Sequence, residues 1–181
     1  ILASVKSRVR KTTHKYGIEL PTSVTHAYRI DAANGDTFWR DAIALEMTNV
    51  GIAFELLEEG VSAPPGWHKV TGHLVFDVKM DFTRKARWVL DGHRTADPVG
   101  ISTYAGVVSR ESAPSSQKDY IICGVEFGLE NVGKVALIHR ALYGGKSAGR
   151  DFRNHLRSCM LHLDFTGCVD ASSQESRWKP L

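Results

Sequence analysis

Chemistry in this chain is most plausible where Val135-Ala-Leu-Ile-His-Arg-Ala-Leu-Tyr-Gly-Gly-Lys-Ser-Ala-Gly149 leads into a helical pattern. A short apolar run enters a glycine-rich turn that carries Lys146. That order brings backbone N–H groups, a helix N-terminus and a lysine together, a natural place to hold phosphate. Gly145-Lys146-Ser147 copies the end of a nucleotide-binding P-loop. The full motif needs glycine at position 140 for its tight turn, and Arg140 stands there. The βα units that precede such a loop are also missing. The plain alternative is a tight turn that uses glycine for geometry alone.

A second group lies on the segment Lys85-Ala-Arg-Trp-Val-Leu90. With a strand period of two, Lys85, Arg87 and Val89 share one face, and Ala86, Trp88 and Leu90 share the other. Both cations therefore point the same way, above a packed Trp88. That could serve as a phosphate clamp, although the pattern alone favours a solvated outer face.

Metal chemistry has little support in the spacing. Cys123, Cys159 and Cys168 form no CxxC pair and match no zinc pattern, so they are expected to be buried or free thiols in a reducing compartment. The eight histidines are scattered, and His68 and His73 lack helical ligand spacing.

The elements that must position these groups follow from pattern. The 181 residues suit one domain with a real core. Residues 1–20 read as a basic, loosely ordered arm. A short helix runs from Pro21 through Asp31 and ends at Asn34-Gly35. Asp36 or Thr37 caps a stronger helix, in which Trp39, Ile43, Met47 and Val50 make one apolar stripe. Ala53 to Leu57 is a strand, and Trp67 after a Pro-Pro-Gly loop is a core anchor. Strands over 73–80 and 85–90 form a hairpin. Residues 110–117 are polar and turn-rich, 120–123 and 135–139 are strands, and 150–163 is a helix with Phe152, Leu156, Cys159 and Leu163 on one face. Beyond Phe165 the pattern fades into a tail over 169–181. Helices do not alternate with every strand, so the expected class is α+β. No apolar run approaches the ~20 residues that span a membrane. The net charge of +3 does not by itself imply nucleic acid. Each of its clusters, 6–15, 79–87 and 140–157, reads by itself as a solvated face, and the three together raise the case for contact with nucleic acid or nucleotide without deciding it.

Four blocks then occur in a telling order: Phe38-Trp-Arg-Asp-Ala-Ile-Ala-Leu-Glu-Met47, Lys85-Ala-Arg-Trp-Val-Leu-Asp-Gly-His93, Tyr104-Ala-Gly-Val-Val-Ser109 and Ala141-Leu-Tyr-Gly-Gly-Lys-Ser-Ala-Gly-Arg-Asp-Phe152. Together they resemble the reverse transcriptase of copia-type retrotransposons, whose usual forms are a "W..A...E" helix, a "KAR.V..G" strand, an "F.PVV" segment and an "ALYGLKQAPR.W" block. The resemblance covers residues 21–168. It implies a partial fingers-and-palm polymerase fold within a Pol polyprotein, an RNA-directed DNA polymerase with Mg2+ as its cofactor. The implied partners are an RNA or DNA template-primer and deoxynucleoside triphosphates, in an intracellular retroelement particle, with no membrane. On this reading Lys85 and Arg87 face the incoming nucleotide, while Gly144, Gly145, Lys146 and Arg150 lie against nucleic acid.

The catalytic half of the family pattern is not found. Polymerase chemistry needs palm carboxylates to hold two magnesium ions. The family's first such Asp stands in a "D...AFL/AYL" segment after "PVV". Here Ser112 runs directly into Ala113, as though that segment were deleted. Neither Glu111 nor Asp119 is followed by the required residues, and the second carboxylate pair, a "Y.DD" turn, is expected beyond Leu181. With no initial Met, the chain reads as a fragment of an enzyme that does not itself polymerise. The alternatives are a non-catalytic nucleic-acid-binding remnant and an unrelated NTPase.

Overall fold

The computed structural model describes residues 13–92, 114–169 and 176–180. The block Tyr104–Ser109, Glu111 and the join between Ser112 and Ala113 lie outside the described residues, as does most of the basic arm. Helices and short, mainly antiparallel strands make the protein α+β. The chain divides into two compact units, Ile1–Glu46 with Leu74–Arg87, and Met47–His73 with Trp88–Leu181.

In the first unit the end of the expected arm is ordered. Strands β1 (His14–Lys15) and β2 (Ile18–Glu19) pair through Tyr16-Gly17, whose φ values of 53° and 77° suit a two-residue hairpin turn. Lys15 Nζ reaches Asp77 Oδ1 at 2.6 Å and holds that carboxyl below its ordinary pKa. Helix α1 (Val24–Asn34) starts where Ser23 Oγ accepts from His26 N at 3.1 Å, and stops at Gly35 with φ of 72°.

Helix α2 (Phe38–Gly51) is capped differently from expectation. The buried carboxylate of Asp31, on α1, accepts from Trp39 N at 3.1 Å and from Arg40 N at 2.8 Å. Asp36 contributes one longer bond, Phe38 N to Oδ1 at 3.4 Å. The cap thus comes eight residues upstream, because the tight turn at Gly35 folds α1 back onto the start of α2. The stripe is borne out in Trp39, Ile43 and Val50, all buried. Trp39 meets the Phe76 ring edge-on at 5.7 Å.

Strands β5 (Gly72–Val78) and β6 (Arg84–Leu90) form the expected hairpin. Phe76, Val78, Ala86, Trp88 and Leu90 are buried, as the alternation requires. Its tip turns at 79–83, where Phe82 N donates to Lys79 O at 2.9 Å and Lys79 N to Thr83 O at 3.0 Å. Phe82 takes φ of 62° there, an uncommon conformation for an aromatic residue.

The second unit is built on a four-stranded sheet in the order β3 (Phe54–Leu56), β8 (Val135–Arg140), β7 (Pro114–Ile122) and β4 (His68–Lys69). Only β4 and β7 run parallel. Central β8 is buried from Val135 to Ile138, so it reads as a continuous apolar run. Phe54, Trp88 and Phe127 pack edge to face, with centroids 5.1 to 6.4 Å apart. A Cβ on Gly72 would enter the Trp88 indole, so only glycine fits beneath that ring.

Four expectations need correction. Residues 114–117 are strand rather than turn, and a bulge between Pro114 and Asp119 lets β7 keep its pairing with β8. Trp67 is only half-buried; it meets the His139 ring edge-on at 5.5 Å. Helix α3 (Ala148–His162) is buried mainly in its first turn, through Ala148, Gly149 and Asp151, while Leu156, Cys159 and Leu163 are exposed. The tail carries a strand: β9 (Phe165–Val169) pairs antiparallel with β10 (Ser176–Pro180). Among the described residues, no helix is long and apolar enough to cross a membrane.

Candidate nucleic-acid interface

The glycine-rich turn has a structural reason for Gly144. Leu90 N donates to Tyr143 O at 2.7 Å, tying the turn to the end of β6. Gly144 has φ of 84°, and a Cβ there would strike the Leu90 carbonyl and come within 2.8 Å of Val89 Cγ1. A Cβ on Gly92 would strike the Gly144 carbonyl in turn. Two backbones therefore cross at contact distance, and side chains are excluded from both sides of the crossing. Asp91 fixes the approach of β6: its backbone N donates to Thr71 O at 2.8 Å, and its carboxylate accepts from Thr71 Oγ1 at 2.7 Å. His73 Nδ1 lies 2.9 Å from the same carboxylate.

The turn does not wrap outward as a phosphate cradle would. Gly145 N donates to Leu142 O, and Ala148 N to Gly145 O, each at 3.2 Å. These N–H groups close the turn on itself. Gly144 is exposed and Lys146 half-buried.

Arg150, in the first turn of α3, is built into a side-chain cluster. Its guanidinium donates to Ser116 Oγ at 2.6 Å and lies 3.1 Å from Asp151 Oδ1. Buried Asp151 also accepts from Ser116 N and Ser116 Oγ through its other oxygen, each at 3.0 Å. Ser147 Oγ donates to Gln117 Oε1 at 3.3 Å. Three side chains at the start of α3 thereby clamp the bulged part of β7. The polar run that resembles a turn is held extended by a buried carboxylate from another element. Sequence spacing offers no signal for this, because Ser116 and Asp151 are 35 positions apart.

In the first unit, Lys85 is half-buried and Arg87 exposed, with Ala86 buried between them. The alternation read from the sequence therefore puts both cations on the outer face of β6. The structure thus places Lys85 and Arg87 in one unit and Gly144, Gly145, Lys146 and Arg150 in the other.

One feature of the first unit escaped the sequence reading. A pocket of about 430 Å³ opens beside the hairpin tip, walled by Phe38, Leu45, Phe82 and Arg84 and rimmed by Asp41 and Asp81. The Arg84 guanidinium lies 5.1 Å from the Phe38 ring centroid. Arg84 Nη1 also donates to Phe82 O at 2.7 Å. Phe82 sits in a turn by sequence, so neither hydropathy nor periodicity points to its part in a pocket.

No family model matches this chain, and no curated protein and no solved structure matches it.

Magnesium would need converging carboxylates. Among the described residues, no three His, Cys, Asp or Glu side chains gather to hold a metal. Asp119 is buried on β7, opposite His68 of β4. Burial pushes its carboxyl above the ordinary range, with His68 pulling the other way.

Proposed function

We propose that the chain is a non-polymerising piece of a copia-type reverse transcriptase, with a partial fingers-and-palm fold, that retains contact with nucleic acid. The reading is supported chiefly by the meeting of two of the blocks that carry the resemblance. Lys85–His93 and Ala141–Phe152 are far apart in sequence. Their glycines, Gly92 and Gly144, nevertheless meet backbone to backbone next to the Leu90–Tyr143 hydrogen bond. Glycines shared with a family pattern and used for one tertiary contact support common ancestry better than either motif alone.

In this reading the outer face of β6 supplies Lys85 and Arg87 to phosphates, and the turn at Gly144, Gly145 and Lys146 lies along a nucleic-acid backbone. Arg150 acts inside the protein, by holding Asp151 and Ser116 together. Catalysis is not proposed, because the interval after Val108 has no Asp followed by the family's small-aromatic-leucine pattern. An NTPase loop is disfavoured by Arg140 and by the inward N–H groups of Gly145 and Ala148.

Two measurements test the proposal. Affinity for a labelled single strand is expected to fall steeply with salt, and the slope of log K against log salt is expected to flatten by about 0.7 for each phosphate-contacting cation removed from Lys85 and Arg87. An affinity independent of salt would sink the binding half. Primer extension with magnesium, template and nucleotides is expected to give no product, and template-dependent synthesis would sink the other half.

A further inference from the structure

On the outward side of α3, His155 and Cys159 are four residues apart, and this spacing puts two side chains on one helical face. His155 Nε2 lies 3.6 Å from Cys159 Sγ. As a hydrogen bond this contact is weak, since the thiol is a poor donor. As a ligand pair the separation has a specific meaning. A tetrahedral zinc ion bonds sulfur at about 2.3 Å and imidazole nitrogen at about 2.0–2.1 Å, which sets those two atoms about 3.6 Å apart. The two donor atoms already stand at the spacing a shared ion would impose. They open onto a pocket of about 410 Å³ that His162 and Leu163 also line, so solvent and additional ligands can reach an ion there. Cys159 is exposed, unlike Cys123, whose thiol is buried.

We propose that His155 and Cys159 form a surface site for zinc or a similar borderline-soft divalent transition metal. Thiolate with imidazole favours such ions and disfavours magnesium and calcium, which take oxygen ligands. Water completes the coordination in the open pocket. The ion bridges successive turns of α3, where that helix has few buried contacts of its own. This site is independent of any polymerase ancestry.

Cobalt(II) serves as the probe, because its bond to thiolate gives a charge-transfer band that zinc lacks. The full chain, reduced with a phosphine, is titrated with cobalt(II) and followed in the near ultraviolet. A saturable thiolate band is expected, displaced by zinc, retained in C123S and C168S and lost in C159S. H155A should weaken cobalt binding at least as much as losing an outer-shell partner does, ~10–100-fold, with unchanged helix content by circular dichroism. No thiolate band in the unsubstituted chain, a band that survives C159S, or equal affinity in H155A would each overturn the proposal.

Discussion

Gly144 and Gly133 make a controlled pair at the level of single residues. Both have positive φ, 84° and 86°, so alanine at either position is strained. At Gly133 a Cβ would meet nothing within 4 Å, whereas at Gly144 it would strike the Leu90 carbonyl. G133A is expected to cost about 1 kcal/mol, from the left-handed backbone alone. G144A is expected to cost about 2–3 kcal/mol more, because two backbones must separate. Urea denaturation of both variants reads the difference, and equal losses would show that the crossing of 143–145 with 90–92 is not tight. Asp119 supplies a residue-scale test by pH. Its carboxyl is raised by burial, so the folded state holds its proton more tightly than the unfolded chain does. Its contribution is most favourable below the ordinary carboxylate pKa and is lost as pH rises through the folded value. D119N removes this titration. The stability of the unsubstituted chain relative to D119N is therefore expected to fall between acid and neutral pH, as followed by thermal melts across that range. A constant difference would mean that Asp119 titrates normally.

Among the elements, β7 and α3 depend on each other. Pro114, Ser115 and Ser116 have poor strand propensity, and α3 buries only its first turn. Asp151 compensates both, accepting from Ser116 N, Ser116 Oγ and Arg150. D151A leaves these donors without their acceptor, and a loss of roughly 3 kcal/mol is expected. S116A removes only the hydroxyl contacts and should cost about 1 kcal/mol. Hydrogen exchange should show the loss in D151A at the 114–117 end of β7, and protection unchanged there would refute the clamp. The same contact explains why Arg150, an expected nucleic-acid contact on sequence grounds, is better described as a positioning residue. R150A is expected to weaken this junction whether or not nucleic acid is present.

For the molecule as a whole, a net charge of +3 is too small to bind polyanions through its overall field. The binding proposal therefore stands on local patches, and a charge-matched comparison makes its salt test sharper. K85A/R87A lowers the net charge from +3 to +1, and so does K69A/K118A, which removes two exposed lysines of the second unit. Only the first pair is expected to flatten the salt dependence markedly. Equal effects from the two pairs would replace a defined β6 face with general attraction.

The sequence by itself determined whatever depends on local periodicity and chain punctuation. The α2 stripe of Trp39, Ile43 and Val50, the alternation that buries Ala86, Trp88 and Leu90, the apolar β8 and the stop of α1 at Gly35 all follow from neighbours within a few positions. The α+β class followed from the order of those elements. Only the tertiary structure decided what depends on residues distant in sequence. Asp31 became the cap of α2, Asp151 turned a polar run into strand, and the apolar side of α3 was left exposed. The glycine turn shows the division within one motif. Gly144-Gly145 with Lys146 was legible as a tight turn, but its purpose was not. That purpose is set by Leu90 and Gly92, some fifty positions earlier, whose backbone takes up the space a side chain would fill.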